Sequence, residues 1–510
     1  MKKLIALILC LVMCLPLFIA CGGDDPADTT KAPDTTKAPD TTQSSSVTTT
    51  TGEEDTTQPT GTIQTAPAYQ VWLPEVEVNN WDGHVFKMYY SVTDGTQTDF
   101  ICDNPNGNVL NDQVYARNSA VESLLNIDLD VTPASNAYST VLQNQYSAGW
   151  TEGDYNAVTG SNRDAIQLSL KGYLANLASY DSMDIYRPYW EQGYVDSLMI
   201  NDSLYTILGD YSVTVNLFVE SMCFNKTIFQ EEGLDEPYNL VKNYEWTVDV
   251  LLDYMDGYAK DVDGDGYDWE EDIFGISGWG TEASYGIFYG SGFTYCKNDG
   301  ETISIDYDRE KLDDVLDVVI DVWSRNGSYF IDTGVYADCH KPGAIFAAGR
   351  GMFFDVVLSK IAMWLTEMED DYGILPIPMF SEDQGRYYSY TGYTVPILVV
   401  PATDPNPDRT GNILEAISAA SNDIIIPKMF EIVTKIQHAR DEESAQMIDI
   451  IISNKVFDAA HWLKLQGYQD LARALIKEKK NISASYIKIH SSKAEKQLED
   501  FLEAYEKLKK

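Results

Sequence analysis

Positive charge is scarce in this chain: 36 Lys and Arg stand against 79 Asp and Glu, a formal net charge of −43. A surface of that sign repels polyanions, which excludes nucleic acid and anionic lipid headgroups as partners. Cysteine is sparse as well. Cys10, Cys14 and Cys21 fall near the amino terminus, and Cys102, Cys223, Cys296 and Cys339 are widely spaced without a CxxC pair. No disulfide framework or zinc site follows from such spacing, and these last four are expected to be mostly buried, free thiols. The five His (84, 340, 438, 461, 490) show no metal-ligand pairing. HExxH, the phosphate-binding P-loop and GxSxG are all missing; Gly275-Ile276-Ser277-Gly278-Trp279 fails the last by one position.

Aromatic residues are plentiful, with 33 Tyr and 10 Trp. Their flat apolar faces and polar edges suit sugar rings, although a Tyr-rich surface habit explains the count equally well. At 510 residues and 44% apolar content the chain can build two or more packed cores.

The amino terminus indicates a compartment. Met1-Lys2-Lys3 precedes an apolar run from Leu4 to Ala20 that is too short and wrongly flanked for a spanning helix. It ends Leu17-Phe18-Ile19-Ala20-Cys21-Gly22-Gly23, which resembles the lipobox of bacterial lipoproteins, with Phe18 where Leu is commoner. That resemblance implies a signal peptide over 1–20, cleavage before Cys21, its acylation (palmitate) and attachment to the cell membrane. Residues 21–76 read as a tether: Asp28-Thr29-Thr30-Lys31-Ala32-Pro33 repeats as Asp34-Thr35-Thr36-Lys37-Ala38-Pro39, and Thr, Ser, Asp and Pro continue to Pro67. Such a stretch cannot bury a core; as a coil it spans about 35–40 Å.

The folded part opens with strand 84–90, helix 111–125 capped by Asn111 or Asp112, strand 127–131, helix 137–149 and strand 155–159. This βαβαβ order predicts an α/β fold with a parallel sheet. Ligands of such sheets sit at the carboxyl ends of the strands, which makes the loop after 159 a candidate binding loop. Residues 204–207 and 213–223 read as further strands.

Asp261-Val262-Asp263-Gly264-Asp265-Gly266-Tyr267-Asp268-Trp269-Glu270-Glu271-Asp272 carries carboxylates at loop positions 1, 3, 5 and 12 and glycine at 6. That is the spacing of an EF-hand-type calcium loop, in which a cation needing about six to eight oxygens is wrapped by one sharply turning segment. Asp261, Asp263, Asp265, the Tyr267 carbonyl and Asp272 are the expected ligands of a structural calcium. Asp272 stands where Glu is usual, so Glu271 or water would help close the shell; an acidic surface turn is the plain alternative.

Several motifs then occur in a telling order. "FNKTIFQEEGLDEP" (224–237), Trp246-Thr247 opening a helix, "DGDG" with Phe274-Gly275-Ile276, Phe346 to Phe354, Asp371 to Pro378, and Tyr393-Thr394-Val395-Pro396 before Asn406-Pro407-Asp408 together resemble bacterial extracellular solute-binding proteins of family 1, the maltose-binding-protein-like type. The resemblance spans about residues 80 to 460. It implies a two-lobed periplasmic-binding-protein-like (type II) α/β fold with a hinge and an interlobe cleft. Lobe one would be 77–210 with 397–452, and lobe two 211–396 with 453–510. The function implied is a monomeric receptor that captures a carbohydrate, preferably an oligosaccharide, for the transmembrane permease subunits of an ABC importer, with no catalysis.

By matched position, ligand contacts are expected from Ser161, Asn162, Arg163 and Asp164 after the third strand, Trp190 as a stacking ring, Asp210 and Tyr211 at the first crossing, Trp279 between two glycines, Asp355 after an apolar strand, and Tyr393 at the second crossing. A core Trp is the alternative for Trp190 and Trp279. The carboxy-terminal segment repeats Leu498, Phe501, Leu502, Tyr505 and Leu508 at helical spacing and is expected to pack back on a lobe. Two other functional classes stay open. An extracellular glycosidase needs only two carboxylates about 5–10 Å apart, which so acidic a chain cannot exclude; a surface glycan-binding adhesin would need a long open groove.

Overall fold

A computed structural model describes residues 71–91, 99–102, 104–134, 138–151, 153–160, 164–332, 338–392, 394–429 and 442–508. Cys21, Ser161, Asn162, Arg163 and Tyr393 lie outside the described residues, as does most of the expected tether.

The first sheet has four strands in the order Ile397–Val399, Ala157–Gly160, His84–Ser91, Ile127–Ala134. The three that come early in the chain are parallel, as the βαβαβ reading requires, and Ile397–Val399 runs antiparallel at the edge. The helix after the first strand starts earlier than expected, at Val109, because the Asn108 side chain accepts from Asn111 N at 3.2 Å and caps it. It buries Val114, Arg117, Val121 and Leu125, which lie on one face at three- and four-residue spacing.

The second sheet has five strands in the order Tyr372–Leu375, Glu220–Asn225, Gly351–Val357, Phe274–Trp279, Ser328–Ile331. The stretch 213–223, read as one strand, divides: Thr214–Leu217 is a helical turn and the strand begins at Glu220. The cause is Asp99, whose buried carboxylate accepts from Ser212 Oγ, Val213 N and Thr214 Oγ1 and draws the backbone into a turn.

Two antiparallel segments join the sheets. Ile207 bridges Leu398 at the first-sheet end, and Val219 bridges Thr391 at the second. Helix Pro407–Ile424 packs on helix Val109–Leu125 of the first lobe. Helix Glu442–Ser453 packs instead against Tyr372–Leu375, with Ser444 Oγ 2.9 Å from Tyr238 Oη and accepting from Ile374 N at 3.2 Å. The chain therefore leaves the first lobe before residue 442, earlier than the boundary at 452 drawn from the sequence. Helix Ser483–Leu508 buries Leu498, Phe501 and Tyr505. It lies along Ile303–Ile305 and sets Tyr505 on Tyr205, ring centroids 4.9 Å apart.

Among the described residues no helix is long and apolar enough to cross a membrane. Cys223, Cys296 and Cys339 are buried and Cys102 half-buried, all as free thiols.

Candidate functional site

The carboxyl ends of both sheets face the junction between the lobes. On the first sheet, strand Ala157–Gly160 is buried throughout and ends where the Tyr138 ring lies so close that a Cβ on Gly160 would come within 2.8 Å of it. After the undescribed loop, Asp164 opens the short helix Asp164–Ser169 and forms an ion pair with Lys464. This aspartate, predicted to meet ligand, is thus engaged by the carboxy-terminal part of the chain.

Three other predicted contacts lie in the interior. Trp190 is 1% exposed and donates from Nε1 to Glu415 Oε2 at 3.0 Å. Tyr189 donates to the other oxygen of Glu415 at 2.5 Å. Burial lifts the Glu415 carboxyl to about 7, against the pull of those two hydrogen bonds. Gly209 lets the chain pass over the indole, since a Cβ there would meet Trp190 Cε3 at 2.7 Å. Trp190 is therefore a core tryptophan rather than an open stacking platform.

Asp210 accepts from Asn216 at 2.8 Å and Asn422 at 2.7 Å, and burial raises it to about 6. Tyr211, 1% exposed, donates its hydroxyl toward Pro396 O at 2.5 Å and Ile207 O at 3.1 Å. These two residues tie the crossing segments together, and their polar atoms are satisfied within the protein. Lys455 adds to the same seam, 2.6 Å from Glu191 and 2.5 Å from Asn216.

On the second sheet, Trp279 is half-buried at the carboxyl end of Phe274–Trp279 and caps the helix Gly280–Gly290. Asp355 is 3% exposed on the neighbouring strand. Glu220 lies beside it, and Glu282 in the first turn of the helix reaches the same place. Neither Glu220 nor Glu282 was singled out from the sequence; strand register and helix packing bring them to Asp355, and no local pattern records either. Burial raises Glu282 to about 7, while Lys360 and Arg473 pull it back down. Arg473 also holds Asp332 by two bonds of 2.5 Å, joined by Lys477 at 2.8 Å.

Aromatic rings pack beside the crossing segments. Trp462 meets Tyr194 edge-on at 5.1 Å, and His461 meets Tyr285 at 5.0 Å and donates to or accepts from Tyr390 Oη at 3.1 Å. Tyr289 stacks on Tyr390 with centroids 5.6 Å apart and planes at 9°. All of these rings are buried, so like Trp190 they pack the core and none is an open stacking face.

The calcium-type loop lies at the other end of strand Phe274–Trp279. Oxygens of Asp261, Asp263 and Asp265 fall within 4.8 Å of one another. Gly264 (φ 82°) and Gly266 (φ 109°) supply the left-handed turns, and Asp261 accepts from both of their N–H groups at 2.7 and 3.1 Å. Asp265 is pushed up by its hydrogen bond with Asp263 and by the crowded negative charge. Asp272 is buried and folds back on the loop, accepting from Val262 N at 2.8 Å and Asp268 N at 2.6 Å. Arg350 fastens the exit through the carbonyls of Asp272 and Trp269, both at 2.8 Å. Asp261, Asp263 and Asp265 thus converge as a hard cation would need, whereas Asp272, expected as a ligand, lies outside that group with both oxygens accepting from backbone N–H groups.

Comparison with known family profiles and with curated protein sequences returns no match. Solved structures do match in fold. The galacto-N-biose/lacto-N-biose I-binding protein of a Bifidobacterium longum ABC transporter, in complex with lacto-N-biose, superposes with a TM-score of 0.52 at 10% identity over 83% of this chain and 99% of its own. An ABC substrate-binding protein of Listeria monocytogenes in complex with cycloalternan gives 0.50 at 13% identity over 82% and 99%. A cyclo/maltodextrin-binding protein complexed with maltotetraose gives 0.50 at 13% over 83% and 97%. The chain has the two-lobed fold of ABC substrate-binding proteins. Asp210, Tyr211 and Lys455 lie at the crossing segments, and Trp279, Glu282 and Asp355 lie on the second sheet and the helix that covers it.

Proposed function

We propose that this chain is an extracytoplasmic receptor that captures a carbohydrate, by preference an oligosaccharide, and delivers it to the permease subunits of an ABC importer. The observation that carries the reading is the fold, which matches carbohydrate-bound substrate-binding proteins over more than four-fifths of the chain. The neighbours are binding proteins, which supports a role without covalent chemistry. In the same proposal Cys21 carries the lipid anchor, the protein acts as a monomer, and the 261–272 loop holds a structural calcium through Asp261, Asp263, Asp265 and the Tyr267 carbonyl.

The experiment is a melting-temperature screen of the purified protein against mono- and oligosaccharides, with peptides and polyols as the other arm. At least one sugar at a hundred times its Kd should stabilise the fold by about 2.7 kcal/mol. A shift caused only by peptides or polyols would remove the carbohydrate assignment while leaving a receptor.

A further inference from the structure

Strands Glu220–Asn225 and Gly351–Val357 run antiparallel, with Met222 opposite Asp355 and Glu220 opposite Val357. Glu220 and Asp355 are therefore diagonal neighbours on one face of the sheet, a spacing at which long side chains touch. Glu220 is 0% exposed and Asp355 3%. Apart from one another, their four carboxylate oxygens have no hydrogen-bond partner among the described residues. Helix Gly280–Gly290 is pressed onto them through Gly286, where a Cβ would sit 2.9 Å from Asp355 Oδ2 and 2.9 Å from Glu220 Cγ.

Among the described residues no cation answers this pair. The further charge acting on both is Glu282, from the same helix. Lys360, on the helix after Gly351–Val357, and Arg473, on helix Leu471–Glu478, are directed at Glu282, and Arg473 is also bound by Asp332. The rings of Tyr285 and Tyr289 turn away toward Tyr390 and His461. Two buried carboxylates in mutual reach, without a counter-ion, cannot both ionise.

We propose that Glu220 and Asp355 share a proton that clasps helix Gly280–Gly290, and with it Trp279 and Glu282, onto the second sheet, so that this face of the junction loosens when the proton is lost. Burial comes first in raising both carboxyls; the Asp355 charge adds to it at Glu220, which goes well above its ordinary value, and the Glu282 charge adds to it at Asp355, which goes to about 7 although Glu220 pulls it down. A carboxyl raised in the folded state contributes stability that is fully present below about pH 4, its unfolded value. That contribution is lost as pH rises through the folded values. The clasp thus holds in acid and gives way above neutrality.

The test is thermal melting of the full chain between about pH 5 and pH 9, without any solute, for the native protein and for Glu220→Gln and Asp355→Asn. Each amide supplies the missing donor without charge. Either variant should flatten the alkaline fall in Tm and gain about 2 °C or more at the alkaline end, with no gain in acid. Variants that follow the native profile at every pH overturn the clasp. If neither variant folds, infrared spectroscopy of the native protein decides: a protonated-carboxyl band at neutral pH that vanishes in alkali is expected. Its absence at neutral pH, or a melting profile set by added sodium or calcium after the 261–272 loop is disrupted by Asp261→Asn, means a cation and not a proton joins the pair. Since no solute enters these measurements, they stand or fall apart from the receptor reading.

Discussion

Tyr211 is held from both sides, its hydroxyl bridging the carbonyls of Ile207 and Pro396 and its own carbonyl accepting from Arg117 at 3.4 Å. A hydroxyl so placed contributes to the fold. Tyr211→Phe should cost about 1 kcal/mol in a denaturant titration and leave solute affinity unchanged. Lost affinity at native stability would return Tyr211 to the ligand. The sequence reading put Tyr211 at a crossing as a ligand contact, but it could not tell a hydroxyl bonded within the fold from one bonded to ligand, because both need the same group. Asp99 was invisible for a related reason. Its partners Tyr90, Ser212, Val213 and Thr214 are supplied by strand packing and by a segment more than 110 positions away, and nothing near Asp99 in the sequence announces them.

Elements were legible wherever local rules and tertiary packing agree. The βαβαβ beginning shows this, since β-branched and aromatic strands alternate with helices whose apolar residues recur at three and four. Agreement fails at 213–223, where β-branched content says strand throughout but one buried carboxylate bends the first half into a turn. It fails again at Glu442–Ser453, whose apolar face fits either sheet and packs on the second. The acidic loop is the reverse case, its glycine and carboxylate spacing being local and readable. Its three exposed aspartates repel one another, so a divalent cation there relieves as well as binds. Chelation should lower the melting temperature, and restoring calcium at a hundred times its Kd should recover about 2.7 kcal/mol. Solute binding should persist in the chelated protein, because strand Phe274–Trp279 separates the loop from the junction. A melting temperature indifferent to calcium and chelator would reduce the loop to an acidic turn.

Across the whole molecule, the buried core runs from the first sheet to the second without a break among the described residues. Trp462 meets Tyr194 across the seam, with Lys464–Asp164 and Lys455–Glu191 as charged ties. On the proposed receptor reading that seam opens to admit a solute, as hinged lobes do between discrete states. If only a fraction of molecules is open, the apparent affinity falls by that fraction, so the seam sets how tightly any solute is held. Solution scattering separates the cases. A hinged receptor should show a larger mean radius without solute than with it. A sugar that raises the melting temperature yet leaves the scattering profile unchanged would point to a rigid surface that holds glycan without trapping it, and importer delivery would then have no moving part to act through.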